Sequence, residues 1–357
     1  MPTASPTSPL TPDFDVIING SPLSVEQETH VVSITVEKDT HLLSMFVLEI
    51  SGSTTRANDL DWIDDEKLFA IGNEVEIKLG YASDIATVFV GEMTGLEPEF
   101  TSDRPPSLKV RGYDRRHRLS RDRKTRTFSK KKDSDIAAQI ASDNQLTPQV
   151  KDSQVTHEYV VQSNQTDLDF LQERAQHIQY EVFVENKNLF FQPIDNAASE
   201  ILTLSFDRDL LEFYPCLTSM FQTDQVNVQG WDIKEKQAVT GQAKTGDEVS
   251  KMGGQKSGAS LAASAFGSAS NHIINHPVMN QAEADQIAKA KLNQTALDLT
   301  LGEGTCWGRT DLQIGKVIKI DNIGKRFSGQ YYVISVTHRY KSDRGYYTHF
   351  QVRRNAV

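Results

Sequence analysis

Residues 302–320 read GEGTCWGRTDLQIGKVIKI, residues 326–340 read RFSGQYYVISVTHRY and residues 345–352 read GYYTHFQV. β-Branched and aromatic residues fall in short runs broken by Gly, Asn and Asp, the pattern that consecutive antiparallel strands require. A turn at Ser342, Asp343, Arg344 and Gly345 separates the last two runs. The stretch predicts a β-meander without the features of an active site. Gly302, Gly304 and Gly308 do not lead from a strand into a helix, so they form no dinucleotide-binding loop.

The same arrangement occurs once more, far upstream. Ile71-Gly72 precedes the alternating run Glu74-Val75-Glu76-Ile77-Lys78-Leu79, and Phe89-Val90-Gly91 opens the next run. In the C-terminal copy Ile314-Gly315 precedes Val317-Ile318-Lys319-Ile320, and Phe327-Ser328-Gly329 opens its successor. Each feature alone is common turn chemistry. Their repetition in the same order predicts two related β-barrels in one chain.

A chain of 357 residues makes about two or three domains. Its net charge of -10 argues against a dedicated nucleic-acid binder. No run of 18 apolar residues offers a transmembrane helix, so no integral membrane segment is expected. Residues 1–12, rich in Pro, Thr and Ser, read as a disordered lead-in. Cys216 and Cys306 cannot form a disulfide framework, which fits synthesis in a reducing cytoplasm.

From Asp13 the pattern is strands, with Asn19-Gly20 supplying the positive φ angles of a tight hairpin. The first barrel is expected over residues 13–114. Residues 115–133 form a basic connector, from Arg115, Arg116, His117 and Arg118 to Lys130, Lys131 and Lys132. It reads either as a phosphate- or nucleic-acid-binding strip or as a connector that is solvated or pairs with acidic neighbours in an assembly. The lack of aromatic interleaving, with Phe128 alone in the stretch, favours the connector. Residues 134–198 predict a small α/β domain: a helix carrying Ile136 and Ile140, a second capped by Thr166, and a hairpin about residues 185–188. Residues 199–357 predict the second barrel, begun by strands at 201–206 and 225–231. It includes a helix over 281–293 with Asn280 and Glu283 as a capping box. Residues 241–271, with KMGGQKSGASLAASAFGSAS at 251–270, are read as a mobile loop, because so little apolar surface does not offset its ordering entropy.

The candidate reactive groups lack supporting chemistry. His272 and His276 have the spacing of a helical zinc site, but the intervening residues hold no Glu and Pro277 follows directly. Asp61, Asp64, Asp65 and Glu66 crowd one loop, whereas paired carboxylate roles need environments that separate their pKa values. Cys216 reads as a buried spectator, and Trp231 and Trp307 as barrel packing. No catalytic, cofactor-binding or metal-binding residue is assigned.

The segments GRTDLQIGKVIKI at 308–320, RFSGQYYVISVTHRY at 326–340, GYYTHFQVRRN at 345–355 and SMFQTDQVNVQGWDIKEKQAVTG at 219–241 resemble the late control protein D family of contractile phages. That family is similar to the hub portion of the valine-glycine repeat spike proteins. The likeness covers residues 13–357 apart from 243–272. It implies a mainly β fold with an α+β insertion: two related tube-like β-barrels with the small α/β domain between them. It further implies a non-enzymatic homotrimeric baseplate hub of a contractile injection system, without cofactor or small-molecule substrate. The hub adapts a six-fold inner tube to a trimeric spike within a phage tail or tail-like particle. Its partners are then the inner tube protein, a separate spike chain and other baseplate components. Two other classes stand beside this one: a cell-wall-degrading tail-associated enzyme, and a module contacting nucleic acid through the basic strip.

Overall fold

The computed structural model describes residues 11–52, 66–82, 84–232, 235–274 and 277–357. The first part contributes β1 (Pro12–Ile18), β2 (Ser21–Pro22), α1 (Val25–Glu28), β3 (Val31–Asp39), β4 (Met45–Ser51), β5 (Glu74–Tyr81), β6 (Asp84–Glu99) and β7 (Ser107–Tyr113). Then come α2 (Arg116–Leu119), β8 (Arg123–Lys132), α3 (Asp133–Asp143), β9 (Thr147–Val150), β10 (Thr156–Thr166), α4 (Asp167–His177), β11 (Tyr180–Glu185) and β12 (Asn188–Pro193). The remainder is β13 (Thr203–Ser205), β14 (Leu210–Leu217), β15 (Gln225–Asp232), β16 (Gln237–Lys244), α5 (Gly258–Phe266), β17 (Ser270–Ile273), α6 (Gln281–Leu297), β18 (Thr300–Trp307), β19 (Val317–Asp321), β20 (Gly329–Lys341) and β21 (Gly345–Arg354). The fold is mainly β, and the tight turn after β1 uses Asn19 and Gly20 at φ 50° and 80°.

One 13-stranded sheet dominates. Its path runs β14-β18-β21-β20-β3-β4-β7-β6-β5-β1-β2, with β19 and β13 branching from β20. Two runs of this path are copies. The order β5-β6-β7-β4-β3 recurs as β19-β20-β21-β18-β14, and the match extends to single rungs. Gly72 donates to the Met93 carbonyl and Met93 donates back to Asn73, both at 2.9 Å; Gly315 and Val333 repeat the exchange with Val333 and Lys316, again at 2.9 Å. Gly72 and Gly315 lie at φ +94° and +71°, a region that costs Gly nothing. A bulge between Met93 and Gly95 recurs between Val333 and Ser335, and one between Val31 and Ser33 recurs between Leu210 and Glu212.

Each copy encloses its own core. Val16, Ile34, Phe46, Ile77, Phe89 and Val110 form the first core, and Phe14 of β1 packs on Tyr340 of β20, ring centroids 4.8 Å apart, although five strands separate them along the path. That half of the sheet therefore curls over its interior. Leu210, Cys306, Ile318, Tyr331, Val336 and Phe350 form the second core. Among the described residues neither curl closes by strand pairing, so the two tube-like units are open cylinders fused into one sheet. The fusion is the ladder between β3 and β20, from Asp39 opposite Ser335 to Ser33 opposite Lys341. The glycines of the C-terminal stretch make room for rings: a Cβ on Gly304 would sit 2.5 Å from Phe350, and one on Gly302 2.6 Å from Phe213.

Residues 225–231 depart from the expected second barrel. β15 pairs with β16 and β17 in a separate three-stranded sheet, which packs on α6 around Val226, Val228, Ala284, Ile287 and Leu292. The expected mobile loop at 241–271 is also replaced by ordered chain. β16 continues to Lys244, α5 occupies 258–266, and Met252, Ser257 and Ala259 are buried. Gln255 and Lys256 both donate to the Val357 carbonyl at 3.0 Å. Small residues are what this close approach demands, and tertiary contact supplies the burial that composition alone did not promise.

The basic connector is likewise built in, as α2 and as β8 paired with β10. Arg116 is fully buried, and its Nη2 and Nε donate to Asp114 Oδ2 at 2.7 and 2.9 Å. The same guanidinium reaches Ser44 Oγ at 3.0 Å, and the Val182 and Asp39 carbonyls at 3.2 and 3.3 Å. It thus pins the β3–β4 connection to β11 of the small unit. Removing it leaves the Asp114 carboxylate buried without its cation, so Arg116→Ala should cost about 3–5 kcal/mol. The check is the urea midpoint of unfolding, which should fall far more than for the exposed Arg121→Ala.

Candidate functional site

The residues singled out in the sequence do not converge. His272 lies on β17, whereas His276 falls outside the described residues. Of the acidic group only Glu66 is described, and Asp61, Asp64 and Asp65 lie outside. Residues 1–10 of the lead-in are outside too, while Thr11 and Pro12 are described, with Pro12 opening β1. Among the described residues no three His, Cys, Asp or Glu side chains are grouped to hold a metal ion. No described helix is long and apolar enough to cross a membrane.

Three side chains differ from expectation. Cys216 is exposed, because its register on β14 turns it away from the core that Phe213 enters. Trp231 and Trp307 are 56% and 45% exposed, Trp307 stacking on Tyr347 with ring centroids 5.4 Å apart. Trp307 ends β18 and Trp231 is the last residue but one of β15, and neither belongs to a core cluster. Cys306 is buried opposite Thr348, and burial pushes its thiol up to about 12, so it is inert.

The basic stretch is largely neutralised inside the chain. Arg115 pairs with Glu74 and Glu92, and His117 and Arg118 also converge on Glu92. Lys124 and Arg126 meet Asp167 at 2.7 and 2.6 Å, and Lys132 meets Asp152 at 2.9 Å. Burial would raise the Glu92 carboxyl, but its bonds to Arg118, His117 and Arg115 hold it below the usual range. Arg115, His117 and Arg118 thus hold the small unit against the sheet, while Lys124, Arg126 and Lys132 pair inside that unit.

A second buried cluster ties that unit to α6. His157 Nε2 lies 3.2 Å from Asp133 Oδ2 and its Nδ1 3.2 Å from Glu283 Oε1, while Arg174 Nε donates to Asp133 Oδ1 at 2.6 Å. Burial alone pulls the imidazole down; its hydrogen bonds to Asp133 and Glu283 override this and push it up to about 9. Glu283 also caps α6, though not as the expected box. The Asn280 side chain accepts from Glu283 N at 2.9 Å, but the Glu283 carboxylate accepts from Met279 N, one residue earlier, at 2.9 Å.

What the surface does offer is unpaired sheet edge. β14 ends the strand path, and Leu211, Tyr214, Leu217, Met220 and Phe221 are exposed along it or just beyond. β5 accompanies β6 only as far as Glu92, so residues 94–99 have no strand on that flank among the described residues. Leu96 and Phe100 are exposed there. Open edges bearing apolar side chains are templates for another chain, and soluble proteins ordinarily blunt them. Sequence reading missed both, since edge position follows from topology and not from residue pattern.

A family model described as the Alg8 N-terminal domain matches residues 9–342. The chain belongs to that family. No curated protein matches it. Among solved structures, this Alg8 N-terminal domain chain is similar to a 43 kDa tail protein of prophage MuSo2 from Shewanella oneidensis. The identity is 11% and the TM-score 0.71, over 96% of this chain and 98% of that one. A tail protein from Neisseria meningitidis MC58 matches at 12% identity and TM-score 0.70, over 96% of each chain. The E. coli c3393 protein is described as a component of the type VI secretion system similar to the T4 bacteriophage tail proteins gp27 and gp5. It matches at 12% identity and TM-score 0.60, over 91% of this chain and 74% of that one. At these identities the shared property is the fold, that of phage tail proteins and a type VI secretion component.

The His157 cluster makes this Alg8 N-terminal domain chain sensitive to alkali. A histidine whose folded pKa is raised contributes stability that is complete below about 6.5 and fades as pH climbs towards 9. The melting temperature should therefore drop between pH 6.5 and 9, and His157→Gln should flatten that slope while lowering stability at pH 6. Differential scanning calorimetry across this range is the check.

Proposed function

We propose that this chain is the hub of a contractile, phage-tail-like injection machine, a structural part and not an enzyme. The observation that carries the proposal is the duplicated strand order, β5-β6-β7-β4-β3 and β19-β20-β21-β18-β14, within a fold shared with tail proteins. Duplication answers a symmetry problem. A tube built of six subunits needs six similar docking surfaces, and three chains carrying two units each provide them. The hub is accordingly a homotrimer. One face receives the first ring of the inner tube, the other seats a separate spike chain, and the remaining surface meets other baseplate components.

Its task is mechanical. Contraction of a surrounding sheath drives the tube, and the hub passes that thrust to the spike, so its inner joints must not yield. Buried Arg116 and the Glu92 and His157 clusters, each crossing between packed units, suit that demand. No cofactor or small-molecule substrate enters this reading. The proposal predicts a species of three copies when the purified full chain is weighed by native mass spectrometry, alone or with its cognate spike. A chain that stays single in both preparations contradicts it.

A further inference from the structure

The junction between β3 and β20 joins the second unit of the chain to the first. Each strand in that junction has a counterpart whose matching flank carries no strand among the described residues. In the duplicated order β6 corresponds to β20 and β14 to β3. Aligned on their shared bulges, Leu96, Glu97, Pro98 and Glu99 correspond to Val336, Thr337, His338 and Arg339. Likewise Leu217, Cys216, Pro215 and Tyr214 correspond to Lys38, Glu37, Val36 and Thr35.

We propose that the end of β6 in one copy pairs antiparallel with β14 of a second copy of this chain, repeating the internal junction between molecules. The register is Leu96 opposite Leu217, Glu97 opposite Cys216, Pro98 opposite Pro215 and Glu99 opposite Tyr214. The joint is directional: the first unit of one chain always meets the second unit of the next, a head-to-tail contact that closes into a ring when the rotation allows. This deepens the hub reading, on which the number three rests, by naming the seam that holds the copies together.

Burial at the two kinds of joint supports it. Val336, His338, Ile34 and Val36 are buried where β3 meets β20. At their free counterparts Leu96 is 37% exposed, Pro98 is exposed, and Phe213 and Pro215 are only half-buried. Hydrogen-bond phase supplies a further constraint. Thr40 donates to the Ile334 carbonyl and Ser342 to the Val32 carbonyl, each at 3.1 Å, so the rungs of β3 at even-numbered positions are the hydrogen-bonded ones. Leu96 opposite Leu217 therefore exchanges main-chain bonds between copies. Pro98 opposite Pro215 is also such a rung and has no amide donor. That loss is confined to one level, and a Pro facing outward on each edge keeps the isolated chain from pairing with stray strands.

Glu97 opposite Cys216 falls on a rung without hydrogen bonds, the type that brings side chains closest. This supplies the test. Glu97 is exposed and its pairing with Arg111 is a surface one, so Glu97→Cys leaves the fold intact. Under mild copper-phenanthroline oxidation, Glu97→Cys in the full chain should link to the native Cys216 of a neighbour. Non-reducing electrophoresis should then show a ladder ending at three chains. The bond should vanish with Cys216→Ser and form at least tenfold less from Glu99→Cys, one rung pair away. No disulfide, equal linking from Glu99→Cys, or a ladder past three chains overturns the seam. Native mass of the unoxidised protein separates the two failures: three copies without the link reject the seam alone, and single copies reject the hub reading as well.

Discussion

The ladder between β3 and β20 is the constraint on which the rest of the molecule depends. Its rungs join Asp39 to Ser335 and Ser33 to Lys341, residues separated by most of the chain, and nothing local prepares them to meet. Without it the two units are separate curls with a free edge each. With it they become one sheet whose second half repeats the strand order of the first. Such long-range pairing carries a large loop-closure entropy, which must be offset by the cores that Val36, Phe46, Val336 and Phe350 complete on either side.

Charge plays a supporting part with one theme. An acidic chain places its most basic stretch where it is consumed internally, by Glu92, Asp114 and Asp167. Buried ion pairs contribute little net stability compared with apolar packing, but they tolerate only one geometry. Here they set the angle between the sheet, the small unit and α6. Tyr332 does the same in neutral form, donating to Glu181 at 2.8 Å across the boundary between β20 and β11. Joints of this kind resist sliding, which hydrophobic contact alone does not provide.

Much of this was legible in the residues, and the exceptions have physical causes. The alternation in Glu74-Val75-Glu76-Ile77 and its echo at 317–320 reported the duplication, because strand period and turn glycine are local properties. The N-cap at Asn280 and the turn at Asn19 and Gly20 were visible for the same reason. What escaped was set by distant partners. Residues 251–270 are ordered by contact with the C-terminal Ala356 and Val357, as Gly254 shows: a Cβ there would lie 2.7 Å from Ala356. β15 has the composition of a barrel strand yet serves a separate small sheet, since α6 offers it a better-matched apolar face. The exposure of Cys216 and the freedom of the β6 and β14 edges follow from strand order, which no window of sequence contains.

The central claim is that one chain supplies two equivalent sectors of a single ring. Electron cryomicroscopy of the assembled hub, reconstructed without imposed symmetry, tests it most directly. The account predicts threefold density overall with a strong sixfold component at the radius of the sheet, and continuous strand density across every sector boundary. A ring in which each chain occupies one sector, or in which the two units of a chain lie at different radii, would contradict it.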